Sequence, residues 1–265
     1  MKQRWPILLV FIVLQEIASM PGHCFAQVEP LKKVNMFSRS DTDKVLFEIV
    51  PVFNGKPLQL SKQYYVNEHG DTLYIDVFRF YITNISFTCN RNAINKNSHL
   101  FDVADSSTYD FLLKKIPPGH YDGLQFTIGV DSIDNTSGAN EGDLDPVKGM
   151  YWAWNSGYIM AKLEGHSKVC KTLHQAFEFH IGGYMPPNNT ARPVLLKLPA
   201  SFAILEHDIP CITLKVDIAA WFSGNLDISK INYIVTPGKE ANEMADKYVK
   251  MISVDTVEYL RCRSQ

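Results

Sequence analysis

Two phrases in this sequence carry residue types that could do chemistry. "YWAWNSGYIMAKLEGH", from Tyr151 to His166, sets Trp152 and Trp154 two positions apart. "FEFHIGG", from Phe177 to Gly183, encloses His180 between aromatic residues and glycines. In an extended chain Trp152 and Trp154 point to one face and make a broad apolar floor. In the second phrase Phe177, Phe179 and Ile181 would face a core, with Glu178 and His180 facing outward. His180 is then free to present a ring nitrogen, and imidazole suits copper or zinc. Gly182 and Gly183 let a neighbouring backbone approach. The same pattern also describes a plain aromatic core strand, so two readings stand side by side: a metal or redox site, and packing.

Catalytic constellations are missing. No G-x-S-x-G, H-E-x-x-H or Gly-rich phosphate loop occurs, and no pair of carboxylates stands out. The chain is therefore read as a non-enzyme. Of its eight histidines only His174 and His180 lie close together, six apart and on one face if they share a strand. The loop "GVDSIDNTSGANEGDLDP" is rich in oxygen donors from Asp131 to Asp145, which could hold calcium. It lacks the EF-hand spacing and terminal glutamate, so turn capping is the expectation for these side chains. Asn84, Asn135 and Asn188 begin glycosylation sequons, to which little weight attaches.

The elements that must position these residues are mostly strands. "KVLFEIVPVF" (44–53), "TLYIDVFRFYITNISFTC" (72–89), "DGLQFTIGV" (122–130), "GYIMAKLEG" (157–165) and "QAFEFHIG" (175–182) alternate apolar with polar residues. "VLLKLPASFAI" and "ITLKVDIAAWF" continue the series, and "FNGKP", "IPPGHYDG" and "YMPPNNTARP" read as turns. The stretch from 72 to 89 is long enough for two strands or one bent one. A single helical period appears late, in "TPGKEANEMADKYVKMI", with Pro237 near its start. The expected fold is an all-β antiparallel sandwich of immunoglobulin-like architecture with one C-terminal α-helix, spanning 44–255. A lead-in (27–43) precedes it and a tail (256–265) follows.

Residues 1–26 read as a secretory signal peptide. Lys2 and Arg4 precede an apolar run from Ile7 to Leu14, and "CFAQ" offers cleavage after Ala26. The run is too short for a membrane span, which takes about 20 residues. His23 and Pro21 occupy places where a lipoprotein signal needs other residues, so Cys24 is not read as an anchor. Removal of this segment takes the charge from 26 basic against 28 acidic to 24 against 27, a net of −3. No basic block remains to neutralise phosphates, which argues against nucleic acid. A periplasmic or secreted protein is expected, with no transmembrane segment. Cys89, Cys170, Cys211 and Cys262 remain, and an even count in an exported chain points to at least one disulfide. Cys170 and Cys211, read as lying in loops beside strands, are slightly favoured.

Several phrases together resemble the MbnP-like family of periplasmic copper-binding proteins. "NGKPLQL" is similar to its opening hairpin and "FRFYITNISF" to its second long strand. The stretch "GVDSIDNTSGANEGDLDPVKGMYWAWNSGYIMAKLEG", followed by "FEFHIGG", looks like its most recognisable part, and the resemblance runs from about 44 to 254. It implies a β-sandwich that binds one copper ion outside the cytoplasm. The implied ligands are histidine and a kynurenine made from tryptophan by a di-haem, peroxidase-like partner. Carried over, the "FHIG" phrase makes His180 a ligand, and the WxW phrase makes Trp152 or Trp154 the modified residue. Many relatives carry a further histidine in the first strand, where this chain has Val50 and Pro51. His174, His166, His120 and His69 are the candidates to replace it. The other reading on the same scaffold is a structural or interaction module whose metal site is lost or altered.

Overall fold

The computed structural model describes residues 43–88, 93–154, 157–205 and 208–261. The chain begins with β1 (Lys44–Phe53), β2 (Lys56–Pro57), β3 (Tyr64–Val66), β4 (Thr72–Thr88) and β5 (Ala93–Asp102). β6 (Asp110–Lys114), β7 (His120–Ile128), the one-turn α1 (Ser132–Thr136), β8 (Tyr151–Trp152) and β9 (Gly157–Ser167) follow. The last third holds β10 (Ala176–Gly182), β11 (Arg192–Ala203), β12 (Asp208–Asp217), β13 (Tyr233–Ile234), α2 (Lys239–Tyr248) and β14 (Ile252–Arg261).

Among the described residues these strands form two sheets. The smaller runs β14-β12-β1-β2, with β6 also on β1. The larger runs β11-β7-β4-β9-β10-β13, with β3 and β5 on β4 and β8 on β9. The two pack face to face. Phe47 and Ile49 from β1 and Ile212 and Leu214 from β12 meet Phe78 and Phe80 of β4 and Phe177 and Phe179 of β10 in one core. The all-β sandwich is as expected from the alternation. The pairing is not wholly antiparallel, because β1 runs parallel to β12, and β13 parallel to β10. Pro51, inside β1, has no N–H to give a neighbour. It falls between the stretches of β1 that pair with β6 and with β2.

The long segment from 72 is one strand, bent where its register shifts beside Asn84, which has φ 53°. Such an irregularity kinks a strand without ending it. Three expectations are corrected. "IAAWF" does not continue β12 but coils into a 3-10 turn, Ile218–Phe222. Asp217 is the reason: its carboxylate accepts from Ala219 N at 3.1 Å, from Asn54 N at 2.8 Å and from Gly55 N at 3.1 Å. Nor does the domain end at 255, since most of the supposed tail is β14, paired antiparallel with β12. Finally, Cys170 and Cys211 are not bonded to each other. Cys211 lies within β12 against Leu46 and Ile209, while the Cys170 thiol is buried in the main core and reaches Ile228 O at 3.5 Å. Cys89, Cys262 and the whole signal-peptide segment lie outside the described residues.

Helix α2 buries Ala241, Met244, Ala245 and Tyr248 along one stripe. It starts two residues after Pro237 and is shorter than its apolar period, giving way to a 3-10 turn at Val249–Met251.

Candidate metal centre

The outer face of the larger sheet carries a second apolar cluster, and Trp152 belongs to it. Tyr81, Val130, Leu144, Met150, Tyr158 and Met160 belong to the same cluster. The segment from 129 to 154 covers these side chains, held down by polar groups. Asn135, 1% exposed, donates to Val130 O at 2.9 Å and accepts from Tyr158 N at 2.8 Å. The acidic residues of this segment do not converge. Asp131 caps α1 through Asp134 N, and Asp145 caps the following turn through Val147 N. Asp143 accepts from Leu100 N and Lys148 Nζ. Turn capping, as expected, occupies Asp131 and Asp145, while Asp143 is held by β5 and Lys148; the sequon asparagine Asn135 is buried.

The two tryptophans pack on each other, ring centroids 5.4 Å apart, but their surroundings differ. β8 ends at Trp152, so only that indole is directed inward; Trp154 is 64% exposed. Trp152 lies on Gly182 of β10. A Cβ added at Gly182 would come within 2.5 Å of Cζ3 of the indole and 2.9 Å of Tyr158 O. β8 pairs with the start of β9, and β10 with the rest of it. The WxW and FHIG phrases therefore meet across β9. His180 stands two residues before Gly182, between the buried Phe179 and Ile181.

His180 is half-buried, with Nε2 2.7 Å from Oε1 of Glu164 on β9. The Lys162 ammonium reaches the same oxygen at 3.0 Å. The His180 contact, followed by the hydrogen bond from Lys162, outweighs partial burial and holds the Glu164 carboxyl down at about 2. A carboxylate with a depressed folded-state pKa stabilises the fold above its unfolded value, and this contribution is lost as pH falls through the folded value. Wild type should therefore lose stability more steeply than Glu164→Gln between about pH 4.5 and 2. Urea midpoints across that range check this, and parallel curves would contradict it.

Further along the same face, His166 Nδ1 lies 2.6 Å from Asp76 Oδ2. His166, His174, Asp76, Glu164 and Glu178 line an open cleft of about 450 Å³. Glu164 thus touches His180 on one side and borders the cleft of His166 and His174 on the other. His69 is elsewhere, bonded to Gly224 O at 2.8 Å, and His120 opens β7. Val50 and Pro51 belong to the smaller sheet. Among the described residues no three side chains of His, Cys, Asp or Glu are grouped to hold a metal ion. Sequence reasoning missed Glu164 and Lys162. The period-two polar face of "AKLEGH" was the available signal, but their pairing with His180 depends on the β9–β10 register.

A family model described as MbnP matches residues 42–237. The chain belongs to the MbnP family. The matched region contains Trp152, Trp154 and His180, and ends before α2 and β14. Among solved structures, MbnP from Methylosinus trichosporium is similar at 14% identity and a TM-score of 0.49, covering 74% of this chain and 82% of that one. No curated protein matches the chain. Among the described residues no helix is long and apolar enough to cross a membrane.

Proposed function

We propose that this member of the MbnP family is an exported, non-catalytic copper-binding protein, with His180 and an oxidised Trp152 as ligands. One observation carries the reading: the Trp152 indole is seated on Gly182, two residues from His180 on the same strand. The family is of a secreted or periplasmic type, which fits the signal-like start. As they stand, the side chains here offer a metal one imidazole and one carboxylate, His180 and Glu164. Indole is a poor donor. Opening its ring, by adding two oxygen atoms from two peroxides across the C2–C3 bond and then hydrolysing the resulting N-formyl group with one water to release formate, would leave the aromatic amine and ketone of kynurenine. A di-haem, peroxidase-like partner would supply that oxidation, with peroxide reduced to water. Burial favours Trp152 over the exposed Trp154, since a donor must face the histidine rather than solvent. Copper would accept the imidazole nitrogen and such an amine.

The second reading, a structural or interaction module with a lost or altered site, draws on Val50 and Pro51 standing where many relatives carry a histidine. Protein purified from its native host separates the two. We expect bound copper, loss of most copper affinity in His180→Ala, and a ring-opened mass on the Trp152 residue of the peptide that carries both tryptophans. Equal affinity in His180→Ala would remove His180 from the site. An unmodified peptide would reject the kynurenine.

A further inference from the structure

We propose that His99 is a pH-sensitive latch on the cover over Trp152: with hydrogen on both ring nitrogens it ties Asp143 down, and loss of one hydrogen lets the cover open. The latch stands on the geometry around His99; that its opening admits an oxidant to Trp152 rests on the copper reading above. The His99 side chain is 12% exposed and stacks on the Phe111 ring of β6, centroids 4.2 Å apart. Its Nε2 lies 2.7 Å from Thr108 O, in the 3-10 turn between β5 and β6. Its Nδ1 lies 3.4 Å from Asp143 Oδ2 in the cover. A carbonyl and an ionised carboxylate both accept hydrogen bonds and donate none. A neutral ring holds one hydrogen, so either tautomer turns a lone pair toward an oxygen. The ring with both hydrogens satisfies the two contacts, and its positive charge then faces the carboxylate.

Asp143 stays ionised while the ring titrates. Partial burial pushes its carboxyl up, but hydrogen bonds from His99, the Lys148 ammonium and the Leu100 N–H outweigh this and hold it well below the usual carboxylate range. The other charged groups around the ring are placed as follows. Lys148 Nζ sits 2.6 Å from Asp143 Oδ1, and Glu141 lines the same cleft as His99 and Asp143. On β4 the residue opposite His99 is the uncharged Ile82, and the Arg79–Asp102 pair, at 2.9 Å, lies further along β4 and β5. On β6 the stacked Phe111 follows Asp110. The latch therefore holds at low pH and is lost as the pH rises. What it holds is the edge of the cover, since Leu144, next to Asp143, belongs to the cluster of Trp152. Beneath the cover the Tyr81 hydroxyl is buried without a hydrogen-bond partner, a cost that opening to water removes. The closed cover thus relies on contacts at its edge.

Amide protection, with the intrinsic pH dependence of exchange divided out, reads the latch from about pH 5 to 8. The N–H of Leu100 is bonded to Asp143, and that of Tyr158 to Asn135 of the cover. Both should lose protection roughly tenfold as the His99 ring gives up one hydrogen. The ring's own nitrogen resonances, recorded on the same samples, mark that step. Phe179 in β10 should keep its protection. His99→Gln, whose side chain cannot change charge, should flatten the dependence, and Asp143→Asn should do the same if the glutamine variant folds poorly. Protection that ignores the ionisation of the ring, or a pH dependence that survives in a folded variant, overturns the latch. Hydroxyl-radical labelling resolved by residue tests what the latch gates. Labelling of Trp152 should rise severalfold over the same pH range, relative to the exposed Trp154. Level labelling of Trp152 overturns the gate. An unmodified Trp152 in native-host protein refutes the ring-opening reading instead, while the amide result still decides the latch.

Discussion

Trp221→Ala should cost about 3–5 kcal/mol, the range for removing a large aromatic residue from a well-packed core. The side chain is fully buried in the 3-10 turn that Asp217 starts after β12. It meets Phe78 of β4 edge-on at 6.1 Å and Tyr248 of α2 at 5.5 Å, and its Nε1 donates to Met251 Sδ at 3.2 Å. One residue therefore ties the larger sheet, the turn and the C-terminal helix together. The void left by alanine is walled by strands on one side and a docked helix on the other, so little collapse can refill it. Trp221→Phe should cost less, keeping most of the contact area and leaving only the weak N–H···S contact unmade. Urea unfolding followed by circular dichroism checks both. A loss below about 1 kcal/mol for the alanine variant would mean that α2 is not anchored through this residue.

The same turn shows where sequence reading stops. "IAAWF" continues the apolar run of β12, and periodicity alone cannot tell a strand from a coil that is equally buried. What ends the strand is Asp217 bonding to Asn54 and Gly55, residues 163 and 162 positions away. Local patterns were informative where one face meets the core and the other meets polar surroundings. The alternation in "FEFHIGG" placed Phe177, Phe179 and Ile181 inside and Glu178 and His180 outside, as found. The parallel pairing of β1 with β12 leaves no local mark, because register between distant strands is fixed only by the shared core. The sequence from 256 onward reads as a tail because the burial of β14 depends on β12 beside it. Glu164 escaped notice for a related reason: its meaning comes from a diagonal neighbour on another strand. The candidate site was legible in residue types and illegible in partners.

Trp152→Ala and Trp154→Ala should differ sharply although the residues are only two apart. Trp152 is 6% exposed and lies on Gly182, among Met150, Tyr158 and Met160. Its truncation should cost about 3–5 kcal/mol if the cover formed by residues 129–154 stays in place. Trp154, at 64% exposed, gives up mainly its contact with the other indole and should change stability by no more than about 0.5 kcal/mol. The cover sets a ceiling on the first number. A cavity on the outer face can be relieved by opening that segment alone, without separating the two sheets, so the cost cannot exceed the free energy of this local opening. Global urea midpoints and amide exchange together test the point. If the segment opens as a unit, Trp152→Ala accelerates exchange at Asn135 and Tyr158 while the core strands β4 and β10 keep their protection. Gly182→Ala pushes on the same indole from below, through a Cβ 2.5 Å from its edge, and should weaken the same amides. Since the clash requires the ring, adding Gly182→Ala to Trp152→Ala should cost less than it costs alone, leaving mainly the contact with Tyr158 O. Full additivity would show that Trp152 does not sit on Gly182, and would remove the geometric reason for choosing it over Trp154.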